Sequence, residues 1–378
     1  MTNKERVMLQ FEHKEADRIP IDLGAGKACI FMRSFYMKLL DYLGFKEEIP
    51  VTTDMVAASD QVLEALGCDV RAVIGKSLDP PDPRAKLWQE PDGTWYRINA
   101  WGVTSKMPPH SHYFDTWDNP MKNAETIEED RAYQLPKVPK YDPNGIKKAL
   151  AYRDAGYPVF ATESFGNGML QMGNFVYGFE NWLSMLVVEP ERCEVFQERL
   201  YQAKAEFWDN MFEAYGDTLD IIGEGDDLGV QNGTFISPAM TRELVIPYHK
   251  RLIDYVKGKH PHVKFVLHSC GSVREFIPDL IDAGYDALNP VQISAKGMEP
   301  EGLKRDFGKD IVFWGGGIDT QRVLPTGTIQ EVKDMTKRNC EIFGKDGGFV
   351  FGTVHNVQPD VPIENFMAMW EVAKDFRF

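Results

Sequence analysis

His268 and Cys270, in the run VLHSCGS, set an imidazole and a thiol two residues apart at the end of an apolar, β-branched stretch. At an extended strand end both can turn toward one soft-to-borderline cation, for which zinc is the natural choice. A third ligand could come from another strand end, either His355 in GTVHNVQPD or a carboxylate, leaving a position open for substrate as catalytic zinc requires. His-x-Cys also arises by chance as an ordinary strand terminus, so spacing alone does not decide. The other groups able to do chemistry are Glu163, closing FATES, and Glu224, Asp226 and Asp227 in GEGDDLG. A carboxylate ending an apolar strand must find partners or shift its pKa, so Glu163, Glu224 and Asp226 are catalytic candidates. Asp227, Asn356 and His112 are candidates for binding substrate. The competing reading makes the carboxylates of GEGDDLG turn formers or N-caps, and the loop histidines His110 and His112 solvated.

These residues follow a repeating pattern. Eight short apolar runs, each ending in a small or polar cluster and followed by a helical stretch, span 18–24, 69–75, 158–164, 219–225, 263–269, 286–292, 310–318 and 348–354. Apolar residues in the intervening segments, such as TRELVIPYHKRLIDYVKGK and TIQEVKDMTKRNCEIFG, recur every three or four positions. The expected fold is therefore α/β, a (β/α)8 TIM barrel whose C-terminal strand ends carry the site. Such a barrel needs about 250 residues. The surplus falls mainly at 76–150, where KLWQEPDGTWYRINAWGV reads as a β-hairpin about a PDG turn, inserted after the second strand. One domain over 1–378 is expected, with the insertion capping the barrel mouth and Trp88, Trp95, Trp101 and Trp117 forming the insertion's own small core. The glycines at 315–317 lack a dinucleotide-site context and read as a strand end of close backbone approach.

Composition narrows the function. Acidic residues outnumber basic ones 57 to 42, a net charge of −15 that repels phosphate backbones and anionic bilayers, so neither nucleic acid nor membrane is an expected partner. No apolar run approaches the roughly 18 residues of a membrane span, and the first twenty residues lack a signal-peptide pattern. Five scattered cysteines without a CxxC pair fit reduced thiols and a cytoplasmic location.

Three longer stretches carry a resemblance. VLHSCGSVREFIPDLIDAGYDALNPVQ, GDDLGVQNGTFISPAMTRELVIPYHKRLI and FGTVHNVQPDVPIENF, the last with Pro359-x-x-Pro362-x-Glu364-Asn365, resemble the uroporphyrinogen decarboxylase superfamily and within it the corrinoid-linked methyltransferase branch. The resemblance implies a (β/α)8 barrel that moves a methyl group between a small organic molecule, a methyl ether or a thiol, and the cobalt of a separate corrinoid protein, with zinc as Lewis acid. O-demethylation of a methoxylated aromatic is the slightly favoured form. His268 and Cys270 fall on the branch's His-x-Cys ligands, and His355 falls where its thiol methyltransferases place a second cysteine. That departure leaves the third ligand open among His355, Glu163 and a carboxylate of GEGDDLG. Two alternatives remain: a tetrapyrrole decarboxylase, for which the N-terminal region offers few arginines to hold several carboxylates, Arg18 and Arg33 among them, and a non-catalytic corrinoid- or tetrapyrrole-binding protein.

Overall fold

A computed structural model describes residues 1–26 and 29–377. Its centre is a parallel sheet of seven strands whose spatial order follows the chain, each strand pairing with the next through a helical crossover. The strands are β1 (Arg71–Val73), β2 (Val159–Ala161), β3 (Ile221–Gly225), β4 (Lys264–His268), β5 (Ala287–Asn289), β6 (Val312–Trp314) and β7 (Phe349–Val350). Residues 20–22 join the two edges: Ile21 bridges Phe351 in parallel, Phe351 N–H donates to Pro20 O, and Asp69 N–H donates to Ile21 O at 2.8 Å. The ring is α/β and TIM-barrel-like, with the first expected strand, 18–24, reduced to that single bridge. The reason is local. Pro20 has no N–H to give a ladder, and the Ile21 N–H goes to the Asp69 carboxylate at 2.7 Å rather than to a neighbouring strand.

Alternation along the strands sorts their side chains. Phe160, Ile221, Val266, Ala287, Val312, Trp314 and Val350 form one buried cluster, the barrel interior. Ala161, Ile222, Phe265, Leu267, Leu288, Phe313 and Phe349 belong to a second cluster, shared with the helices outside. The helices that follow the strands include α1 (Met169–Tyr177), α2 (Pro190–Tyr215), α3 (Ile246–Lys259), α4 (Ile277–Ala283), α5 (Pro300–Phe307), α6 (Ile329–Gly344) and α7 (Ile363–Asp375). Thr328 and Glu331 start α6 with a reciprocal capping box, while Gly284 at φ 102° ends α4 in the left-handed cap that glycine tolerates best. No helix of the described residues is long and apolar enough to cross a membrane.

Between β1 and β2 lies an antiparallel four-stranded sheet: Lys86–Gln89, Trp95–Ile98, Thr104–Met107 and Asp115–Asp118. Gly93 supplies the positive φ of the Pro91-Asp92-Gly93 turn between the first two. Its tryptophans do not form a separate core. Trp88 stacks on Tyr96, Trp117 lies exposed beneath the Lys106 ammonium, and Trp101 packs against Phe165, which follows β2. A single layer of four-residue strands cannot enclose a core of its own, so its apolar surface must lean on the barrel.

Candidate functional site

His268, Cys270 and His355 come together, each offering a ligand atom within 4.8 Å of the other two. His268 ends β4 with the parity of Val266 and so points into the barrel mouth. Its ring is held by Asn289, which ends β5 with the same inward parity: His268 Nδ1 and Asn289 Oδ1 are 2.7 Å apart. The Asn289 amide is fixed because its Nδ2 donates to the carbonyl of Trp314 at 3.1 Å, an atom that can only accept. Nδ1 of His268 therefore carries a proton, so in the neutral ring the Nε2 lone pair faces Cys270 Sγ, 3.5 Å away. For a tetrahedral zinc at ordinary bond lengths, a nitrogen–sulfur edge is about 3.6 Å. The pair fits that edge, and His355 lies close enough to complete the set.

The loop carrying Cys270 is packed backbone to backbone. Gly271, at φ 84°, leaves no room for a Cβ, which would sit 2.4 Å from the Gly229 carbonyl carbon. Ser272 N–H donates to Val230 O, and Asp227 Oδ1 accepts the Cys270 N–H, both at 2.8 Å. Burial, with the Asp227 carboxylate beside it, raises the Cys270 thiol well above its ordinary pKa, so without a cation the sulfur keeps its proton. Beside a bound divalent metal Cys270 would instead be held as the thiolate. His355 has the opposite character: burial, helped by the neighbouring His268, lowers its pKa to about 4 and keeps it a neutral imidazole with a lone pair to give. Its φ of 67° is left-handed, a region that histidine enters several-fold more often than most non-glycine residues. The donor set thus fits zinc in charge, softness and spacing.

The other candidates fall in different surroundings. Asp227 stays beside the cluster, 3.9 Å from His268 Nε2, with its second oxygen accepting from Gln171 Nε2 at 2.8 Å. Asn356 is buried, accepting from Ile30 N–H and donating to Met55 Sδ. His112 is exposed on the insertion and lines a cleft with Arg33, Asp54 and Trp95. Glu224 has outward parity and is fully buried against α2, where Lys204 Nζ (2.7 Å) and Trp208 Nε1 (2.8 Å) satisfy both oxygens. Asp226 is also fully buried: its oxygens accept from the N–H groups of Leu170 and Gln171 at the start of α1 and face His249 Nε2 at 2.9 Å. Both carboxylates are fully engaged in holding helices to strands. Among the described residues Glu163 accepts one hydrogen bond, from Gly75 N–H at 3.0 Å, and burial raises its pKa. Asn289, His249 and Lys204 were not singled out from the sequence; a polar residue with inward parity at the end of an apolar strand was the signal for Asn289.

Comparison with known proteins agrees with this architecture. A uroporphyrinogen decarboxylase of Chlorobium limicola is 23% identical over 231 residues, covering 60% of this chain and 59% of the relative. One from Hordeum vulgare is 29% identical over 150 residues, covering 38% and 41%. The chain thus spans less than two thirds of the length of these curated relatives. A solved methyltransferase from Methanosarcina mazei shares the fold with a TM-score of 0.65 at 16% identity, over 99% of both chains. The sequence model of the uroporphyrinogen decarboxylase (URO-D) family matches residues 165–376, more than half of the chain and including His268, Cys270 and His355, and on that match the protein belongs to the URO-D family.

Proposed function

We propose that the protein is a zinc-dependent methyltransferase that exchanges a methyl group between a small organic substrate, a methyl ether or a thiol, and the cobalt of a separate corrinoid protein. The observation that carries this reading is the His268, Cys270 and His355 cluster, two imidazoles and one thiol gathered at a barrel mouth. Those three residues would hold the metal, which when bound supplies Lewis acidity to an ether oxygen or a substrate thiol. Asn289 holds the His268 tautomer that exposes Nε2. Asp227 anchors the Cys270 backbone through its N–H and lies beside the ligands to receive a proton or orient a polar group of the substrate. Asn356 and His112 would contact substrate or partner from the last barrel loop and the insertion, which caps the mouth in this reading. Glu224 and Asp226 act through structure, each carboxylate being taken up by buried partners.

The second reading, decarboxylation of a tetrapyrrole, draws support from the curated relatives, which are named uroporphyrinogen decarboxylases. Against it, two of the three N-terminal arginines are taken up by carboxylates, Arg6 by Asp17 and Asp69. Arg18 forks onto Asp69 at 2.7 and 2.9 Å, and Arg33 donates from Nε and one terminal nitrogen to the Ile49 carbonyl. The test is anaerobic methyl transfer to or from cobalamin, followed by its absorbance, with wild type and Cys270→Ala. Transfer that disappears in the variant supports the proposal. Full transfer in Cys270→Ala, or CO2 release from uroporphyrinogen by the wild type, overturns it.

A further inference from the structure

A second feature of the molecule is a cavity of 770 Å³ between the insertion and α2, whose wall includes Glu163 together with Trp101, Tyr141, Phe165 and Phe207. The four rings form a continuous series, with centroids 5.1 Å apart from Trp101 to Phe165, 6.3 Å from Phe165 to Phe207 and 5.9 Å from Phe207 to Tyr141. The charges on the wall are unevenly answered. Asp79 is paired with Lys137 and Asp82 with Arg84, both in salt bridges. Glu163, among the described residues, has no cation within salt-bridge reach, only the Gly75 N–H. The groups its charge acts on are the hydroxyls of Tyr141 and Tyr215, whose pKa values it helps to raise, so no basic side chain offsets it.

A half-buried carboxylate without a counter-charge is costly, and the cost falls if a cation enters beside it. Aromatic ring faces carry negative quadrupole potential and favour the same kind of guest, above all one whose charge is spread over alkyl groups and is weakly hydrated. An anionic guest would meet Glu163 and those rings with like sign, and a neutral apolar guest would leave the carboxylate unanswered. We propose that this cavity binds a small organic cation, a protonated or quaternary amine, with its charge against Glu163 and its alkyl groups on the ring wall of Trp101, Tyr141, Phe165 and Phe207. The site is independent of the metal reading: it concerns binding alone, and metal-free protein binds the cation as well as loaded protein does.

Isothermal titration calorimetry on the full chain, with and without added zinc, tests it using choline and its uncharged isostere 3,3-dimethylbutan-1-ol. The charge-and-ring account predicts that choline binds at least roughly tenfold more tightly than the alcohol. Glu163→Gln removes that preference, and Trp101→Leu weakens choline severalfold. Equal affinity for the two ligands, no saturable heat with choline or benzyltrimethylammonium at millimolar concentration, or an unchanged preference in a folded Glu163→Gln protein overturns it. The wild-type comparison of the two ligands needs no variant, so it stands even where a substitution disturbs folding.

Discussion

Replacing Asn289 by alanine isolates the contribution of a residue that acts through His268. Asn289 Oδ1 lies 2.7 Å from His268 Nδ1, and the Asn289 amide cannot flip because Nδ2 donates to Trp314 O. Without it the imidazole is free to change tautomer and to rotate away from Cys270. Losing such an outer partner typically weakens a metal site about 10–100-fold, equivalent to about 1.4–2.7 kcal/mol. The same substitution also removes the bond to Trp314 from a fully buried position, and that costs about 1–3 kcal/mol of stability. The two effects separate by assay. Competition with a chromophoric zinc chelator reads affinity, while circular dichroism and denaturant titration show that the variant remains folded. Asn339→Ala is the control, since Asn339 is equally buried and donates to Gly316 O and Gly317 O without touching any of the three ligands. It should lose comparable stability and keep wild-type affinity. A folded Asn289→Ala protein with zinc affinity within threefold of wild type would refute the tautomer argument.

Other outcomes follow from the buried charges. Lys204→Met strands the Glu224 carboxylate against α2 and should cost about 3–5 kcal/mol in urea unfolding; a loss below 1 kcal/mol contradicts the pairing, and adding Glu224→Gln should recover most of it. Asp226→Ala removes the acceptor for Leu170 and Gln171 N–H and the partner of His249, so stability should fall by about 1–3 kcal/mol with zinc content unchanged, and loss of zinc from folded protein would assign Asp226 a different role. Burial raises the Glu163 pKa above 4.5, so the folded state holds that proton more tightly than the unfolded one. The associated stability is complete below the unfolded value and is lost as pH rises through the folded value. Glu163→Gln should therefore gain on wild type between pH 4 and pH 7; a gain as pH falls would reverse the assigned sign.

Much of this is legible from the residues, and the misses have two physical causes. Seven of the apolar runs contain strands of the ring, and glycines 315–317 do mark a close approach: a Cβ on Gly315 would lie 2.3 Å from Pro290 O. His268, Cys270 and His355 are candidates on residue type, spacing and strand-end position. The sequence could not show which strand-end carboxylates face the mouth, because that depends on strand parity. Ile222 faces the helices, so Glu224 must too, and it meets Lys204 and Trp208 rather than substrate. Asp226 illustrates the second limit. It lies just past a strand, and its partners are the α1 N-terminus and His249, which are distant in sequence. The 18–24 run fell short for a similar reason, since a single side chain, Asp69, takes the N–H that a longer ladder would have used.

The most direct test of the central claim is the zinc content of protein purified anaerobically without chelator, wild type beside Cys270→Ala. The account predicts close to one zinc per wild-type chain and little in the folded variant, because removing Cys270 deletes one of three clustered ligands. No zinc in either protein, or equal zinc in both, would contradict a metal centre at His268, Cys270 and His355 and with it the methyltransferase reading.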